Sequence, residues 1–338
     1  MHMADALLSP AVGITMCAAS AAAITYSTIK LGKDDLGEKK IPIMGVMGAF
    51  VFAAQMINFT IPWVGSSGHI GGGILLAATL GGGPALLAIA TVLIIQCLFF
   101  ADGGLLALGC NIFNMGVIPC LVVYPLLFKP LVKNGLTFGR ITLASMVTVI
   151  LGLQLGAFGV VLETQLSGIT VLPFETFVLL MQPIHLAIGI AEGIITAGVL
   201  CFVYKMRPEI MDNALDHTPI KRDTPMKNIL ICMIVLTLIV GGGLSLFASS
   251  YPDGLEWAIE QTTGAPELES TDPVMENAAA LQETTAFMPD YDYTDQQGSG
   301  TSVAGILGGM ITFALAGASG LLISAIKKRR KDTVSTNA

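Results

Sequence analysis

Apolar stretches of membrane-spanning length recur almost from end to end of the chain, at 11–30, 41–61, 70–81, 84–101, 107–128, 141–162, 178–204, 228–249 and 303–326. They are too long and too uniformly apolar for barrel strands, so the pattern predicts helices. The third stretch is short, contains Gly71, Gly72 and Gly73, and closes at Gly81-Gly82-Gly83-Pro84. It is read as a tilted or partly re-entrant helix beside a loop buried in protein. The fold class that follows is an all-α polytopic membrane protein with about nine transmembrane helices.

Composition agrees with the pattern: 53% of the 338 residues are apolar and only 12% are charged. A soluble domain needs many more charges to cover its surface. The positive charges then orient the chain. All seventeen Lys and Arg fall in alternate connections: Lys30 to Lys40, Lys129 to Arg140, Lys205 to Lys227, and Lys327 to Lys331. A multi-pass protein of the cell (inner or plasma) membrane is expected, with its N-terminus outside and its basic tail in the cytoplasm. The same count puts loop 62–69 outside, beside the N-terminus. The apolar start lacks a basic leader, carries Asp5 and precedes Lys30, so it reads as a retained first helix and not as a secretory signal.

Two blocks emerge. Residues 1–207 form a seven-span unit with short loops, and a polar connector, 208–226, holds Pro208, Asp216, His217 and Pro219. Residues 227–326 form a two-span unit around an outward loop, 250–302, followed by a basic tail, 327–338. The loop carries eleven acidic residues and no basic one. Its start, Tyr251-Pro-Asp-Gly-Leu-Glu-Trp-Ala, reads as a turn leading into a short amphipathic helix. The remainder, Pro266 to Gly300, reads as flexible and dispensable.

Chemistry concentrates at the N-terminus. Bacterial processing enzymes remove the initiator Met only before a small residue, so Met1 is expected to stay in front of His2 with a free amine. The amine and the His2 amide close a five-membered ring around a metal ion; the amide and the imidazole Nδ1 close a six-membered one. A further imidazole completes a planar four-nitrogen set, the geometry of Ni(II) or Cu(II). His69, in Gly65-Ser-Ser-Gly-His-Ile-Gly-Gly-Gly73, lies in the loop that the charge argument places on the same face.

Other polar residues have weaker claims. Asp5, Asn58 and Asp102 lie near that face and are candidates to orient the ligands. Gln55, Gln96, Asn111 and Asn114 fit interhelical hydrogen bonding. His185 and Glu192 share a helix face two turns apart, and a buried His–Glu pair joining two helices is the expected reading ahead of a second metal site. Asp253, Glu256 and Trp257 are candidates for a loop that assists loading. The six cysteines show no C-x-x-C spacing and read as buried hydrophobes. With no G-x-x-x-x-G-K-[ST] loop, the chain is expected to bind no nucleotide; with no H-E-x-x-H, no zinc protease is indicated. The dispersed basic residues give no nucleic-acid surface and fit contact with lipid.

MHMADALLSP, FVFAAQMINF, GSSGHIGGG, FADGGLLALGCNIFNMG and HLAIGIAEGIITA together resemble the CbiM/NikM family, the substrate-binding membrane subunits of energy-coupling-factor cobalt/nickel importers. The likeness spans roughly residues 1–205, and the second block resembles the CbiN/NikN accessory component. It implies a seven-helix S-component-like bundle plus a two-helix accessory unit. It also implies Co(II) or Ni(II) as transported substrate, with Met1, His2 and His69 as ligands. The partners implied are a transmembrane coupling subunit and cytoplasmic ATPase subunits; the chain itself is then no enzyme. Ala4, Ala6 and Leu7 depart from the family's commoner Pro, Gly and aromatic residues without removing a ligand. Two rivals stand beside this expectation: a secondary transporter needing no ATPases, and a membrane metal sensor.

Overall fold

The structure, a computed structural model, is described over residues 1–33, 40–216, 220, 224–268, 272–293 and 300–336. His217, part of the acidic loop and the end of the basic tail lie outside the described residues. Among the described residues, seven helices have the length and apolarity to cross a membrane. They are α1 (Pro10–Lys33), α4 (Gly82–Phe100), α5 (Leu108–Val132), α6 (Phe138–Ser167), α7 (Phe174–Met206), α9 (Lys227–Gly242) with its extension to Phe247, and α12 (Thr301–Thr336). Two shorter apolar helices, α2 (Lys40–Gln55) and α3 (Gly73–Leu80), complete the nine stretches seen in the sequence.

The expected span at 41–61 stops at Gln55. Phe59–Ile61 forms β1, which pairs antiparallel with β2 (Ser66–Gly68) in register Phe59 to Gly68. Pro62 and a left-handed Gly65 turn the chain between them, and Trp63 stands fully exposed on the turn. The apolar run thus continued beyond the helix because it also supplied a hairpin. The third stretch is resolved as well. Its helix has eight residues, about 12 Å, too short to cross the hydrocarbon alone. The extended residues before it lead down to Gly72, whose φ of 77° starts α3 with its N–H aimed at the Glu192 carboxylate, 2.8 Å away. Every residue of α3 is buried, and in its irregular entry Ile70 and Gly72 are buried while His69 and Gly71 are half-buried.

The α5 segment is unusual. Its stretch from Phe113 to Phe128 is π-helical and contains Pro119 and Pro125. Prolines remove backbone donors, and the wider turn accommodates them. At its far end, α8 (Pro208–Asp216) is tied to α5: the Tyr124 hydroxyl donates to Ala214 O at 2.9 Å and Lys129 Nζ to Leu215 O at 2.7 Å.

The second unit packs on the first through α2, which lies against both α9 and α12. A Cβ on Gly305 would stand 2.5 Å from Gly241 O, so the backbones of α12 and α9 meet directly. Between these helices the chain forms α10 (Gly254–Thr263) and α11 (Pro273–Thr285). The expected short amphipathic helix is α10, opened by a capping box in which Asp253 and Glu256 exchange hydrogen bonds with each other's backbone.

The expectation of a flexible remainder does not hold where it is described. Met275 and Gln282 of α11 are buried, and Gln282 Nε2 donates to Cys97 O at 2.8 Å and Gly103 O at 2.7 Å. Phe287 and Met288 both donate backbone N–H groups to Phe99 O. The acidic composition concealed a docking stripe of Gln282, Phe287, Met288 and Tyr291 that lies on the end of α4 and the loop after it.

Candidate metal centre

The first eight residues are threaded into the protein, with Met1, Met3, Leu7 and Leu8 all buried. Hydrogen bonds fix the thread along its length. Met3 N–H donates to Asn111 Oδ1 at 2.8 Å, Asn111 Nδ2 returns a bond to Met3 O at 3.3 Å, and Gly104 N–H donates to Met3 O at 2.9 Å. Asp5 Oδ1 accepts from Ala107 N–H at 2.8 Å and so clamps the start of the segment to the loop leading into α5.

This threading brings the Met1 amine to 3.4 Å from His69 Nε2 and into an ion pair with Asp253. The His2 and His69 rings stack with centroids 5.1 Å apart and planes 18° apart. His69 Nδ1 faces Ile70 O at 3.0 Å, which makes it the protonated nitrogen and leaves Nε2 with a lone pair toward the amine. His2 is held at both nitrogens: Nε2 lies 3.2 Å from Gln96 Oε1, and Nδ1 lies 3.2 Å from Asp102 Oδ1. The neutral ring has one N–H for these two facing oxygens: with the proton on Nε2, donated to Gln96, Nδ1 is left as the nitrogen that closes the chelate ring, and it meets Asp102 as a lone pair, which a buried carboxyl that keeps its proton can satisfy by donating to it.

Burial and then the adjacent ammonium push both imidazoles down to about 3, so they are neutral lone-pair donors at ordinary pH. Burial alone would raise Asp253, but the ammonium outweighs it and holds the carboxyl below the usual carboxylate range. Asp102 and Asp5 are both raised by burial. The Tyr291 hydroxyl donates to Asp102 Oδ2, which links the docked acidic segment to His2.

The structure therefore gathers Met1, His2 and His69, with Asp102 and Asp253 against them and Asp5 clamping the thread. It does not bring every expected residue in. Asn58 participates through its backbone carbonyl, which accepts Ser249 N–H at 2.7 Å and anchors the second unit beside the hairpin. Glu256 caps α10 and is raised to about 7, by burial and then by the neighbouring Asp253. Trp257 is half-buried against the apolar core. The expected His185–Glu192 pair does not form. His185 Nδ1 bonds Met181 O at 2.8 Å, while Glu192 takes the Gly72 N–H, because residues seven apart on α7 face neighbouring levels of the bundle and not each other.

Gln55 and Gln96 form the interhelical hydrogen bond expected of them, and they also belong to this site. Gln96 braces His2 and in turn donates to Gln55 Oε1 at 2.8 Å; Gln55 Nε2 continues to Gly71 O at 3.0 Å, beside His69. The six-residue spacing from Gln96 to Asp102 at the end of one helix was the available signal. Tyr291 had none, because its contact is made across 189 residues. Among the described residues no group of three or more His, Cys, Asp or Glu side chains is arranged as a metal site. The donors gathered here are different in kind: a terminal amine, a backbone amide and two imidazoles. Nitrogens in adjacent positions around an ion, at bonds of about 2.0 Å, lie about 2.8 Å apart. The amine and His69 Nε2 stand 3.4 Å apart, somewhat wider than that.

Comparison with known proteins shows what the chain is similar to. The family described as "Cobalt uptake substrate-specific transmembrane region" matches residues 2–210, and the PDGLE domain matches residues 227–325. A putative fused nickel transport protein NikMN of Archaeoglobus fulgidus is 30% identical over 93% of this chain and 96% of its own length. A putative metal transport protein of Haloquadratum walsbyi is 33% identical, covering 67% of this chain and the whole of that one. The cobalt transport protein CbiM of Sorangium cellulosum is 31% identical over 51% of this chain and 76% of its own. Among solved structures, that of a truncated transition metal transporter superposes with a TM-score of 0.54 at 30% identity, over 61% of this chain and 99% of that one.

Proposed function

Because the chain belongs to the CbiM family of cobalt-uptake transmembrane proteins, and is a cobalt/nickel transport component, we propose that it captures Co(II) or Ni(II) at the extracytoplasmic face for ATP-driven import. The observation that carries this reading is the Met1 amine lying against His69, with His2 stacked on the same imidazole inside a buried pocket. The ligands are the Met1 amine, the His2 amide and Nδ1, and His69 Nε2. Such a set suits an ion that favours nitrogen in a plane and that displaces protons as it binds.

Two of the donors rest on carboxyl groups. Asp253 holds the amine, and Asp102 faces His2 Nδ1. Loading exchanges those partners for the ion, while Gln96 stays on Nε2 and keeps the ring in place. The accessory unit, residues 227–326, assists loading in this reading: Asp253 presents the amine from the cap of α10, with Glu256 and Trp257 holding that helix. Residues 1–207 form the binding unit and 208–226 the cytoplasmic connector, with the tail 327–338 also inside.

The energy comes from a transmembrane coupling subunit and separate cytoplasmic ATPase subunits, with which this chain assembles. The imported ion serves cobalamin synthesis or nickel metalloenzymes. Uptake of radioactive nickel and cobalt into cells, with and without the ATPase subunits, tests this reading. Accumulation against a gradient is expected only with them, and uphill uptake by this chain alone would establish the secondary-transporter alternative.

A further inference from the structure

At the end of the bundle away from the nitrogen set, α1, α4 and α5 enclose a cleft of about 280 Å³. The two places are far apart along the same helices. Helix α4 opens at Gly82, in the cleft, and ends at Phe100, close to Asp102 and about 27 Å away. Three lysines line the cleft, Lys30 from α1, Lys40 from α2 and Lys129 from α5, and among the described residues no carboxylate does. Asp212 and Asp216 lie in a neighbouring cleft that shares Lys129. Lys40 is itself buried, so water screens its charge only weakly.

Two further features set the cleft apart from an ordinary basic surface. The first is the start of α4. Gly82 and Gly83 line the cleft, Pro84 has no N–H, and the first donor of this turn to reach a helical acceptor is Ala85 N–H, on Gly81 O at 3.0 Å. No side chain caps the turn, and the aligned peptide dipoles of a 19-residue helix favour an anion at that end.

The second is Ser27, which is 1% exposed and whose Oγ has no hydrogen-bond partner among the described residues. Buried hydroxyls are nearly always paired. Helical hydroxyls commonly bond back one turn, as Thr25 does to Ala21 O and Thr28 to Ile24 O on the same helix. Ser27 instead faces the start of α4: a Cβ on Gly83 would stand 4.0 Å from its Oγ. An unpaired donor, two glycine amides and the lysines thus converge on one space. Lys129 Nζ donates to Leu215 O at 2.7 Å, which occupies one of the three protons of an ammonium.

We propose that this cleft binds the phosphodiester headgroup of an anionic phospholipid of the cytoplasmic leaflet. Ser27 and the Gly82 and Gly83 amides supply directed bonds to the phosphate oxygens, and the lysines supply the positive field. A free phosphate offers the same oxygens. A lipid is favoured because Tyr26 and Pro125 line the cleft and are also exposed on the outer faces of two membrane helices, so the space opens onto the bilayer. Basic pockets between helices at this level are suited to such headgroups. The inference takes its orientation from the capture reading above and uses none of its ligands.

The full chain, purified in detergent, is titrated with phosphatidylglycerol and with phosphatidylcholine, and bound lipid is counted by native mass spectrometry. One phosphatidylglycerol is expected to bind about tenfold or more tightly than phosphatidylcholine. Ser27→Ala should weaken it about threefold or more. Lys30→Gln with Lys129→Gln should abolish the preference, while a glutamine at 129 can still donate to Leu215 O. Lys205→Gln, at an exposed lysine of the same end, should leave the preference unchanged. Equal binding of the two lipids overturns the inference. So does an equal loss in Lys205→Gln, which would reduce the effect to diffuse surface attraction. Displacement of the lipid by micromolar inorganic phosphate would give the cleft to a soluble anion. An intact lipid preference in the double variant, with assembly on the coupling subunit lost, would give it to a partner's carboxylate; either result also overturns the proposal. Thermal unfolding checks each variant, and should the double variant fail to fold, Ser27→Ala decides alone.

Discussion

The amine of Met1 is pinned between a carboxylate from residue 253 and an imidazole from residue 69. Its neighbour His2 rests on Gln96 at Nε2, which in the proposed ligand set leaves Nδ1 for the ion. Partners of this kind typically contribute 10–100-fold to metal affinity, so Gln96→Leu should weaken nickel or cobalt binding by about that factor in a calorimetric titration. The pH dependence follows from the same residues. Exposed imidazoles would make binding fade across their ordinary range, but burial pushes both rings down to about 3 and removes that titration from the folded site. The protons that a metal must displace are those of the ammonium and the His2 amide. Titrations in buffers of different ionisation enthalpy should therefore show about two protons released per ion, with affinity falling as pH is lowered. Stability has its own window. Between pH 6.5 and about 3 the unfolded chain binds protons that the buried rings refuse, so the ion-free protein should lose stability as pH falls through that interval.

At the scale of elements, the spans were legible because lipid demands long uniform apolar helices, and the capped start of α10 was legible because Asp253 and Glu256 carry their own local chemistry. The β1–β2 hairpin was not, because Phe59, Ile61 and Trp63 continue the apolar run of α2. Nor was α11. It lies in an acidic, Thr- and Gly-rich stretch that read as solvated chain, and the tertiary contact of Gln282 with the end of α4 and the loop after it shows that it docks. Gln282 satisfies two carbonyls there, on Cys97 and Gly103. Gln282→Ala should cost on the order of 1–3 kcal/mol in chemical denaturation, the usual cost of leaving buried acceptors unpaired. An exposed neighbour such as Leu281→Ala should change little.

At the scale of the whole molecule, the two units share one site. The first supplies the nitrogens; the second supplies the carboxylate that holds the amine and the tyrosine that holds Asp102. The pairing of Met1 with His69 was readable from charge topology and glycine content, whereas the roles of Tyr291 and Gln282 arise from contacts spanning more than 170 residues. What unifies the account is the free N-terminus as a metal ligand, and one titration addresses it directly. Equilibrium Ni(II) and Co(II) binding should be compared between the chain starting at Met1 and the same chain with a single residue placed before Met1, both shown to be folded. The extended chain, like His69→Ala, should bind at least about 100-fold more weakly, more than the loss of a supporting partner causes. Undiminished affinity in the extended chain would contradict the account, because the amine would then be no ligand.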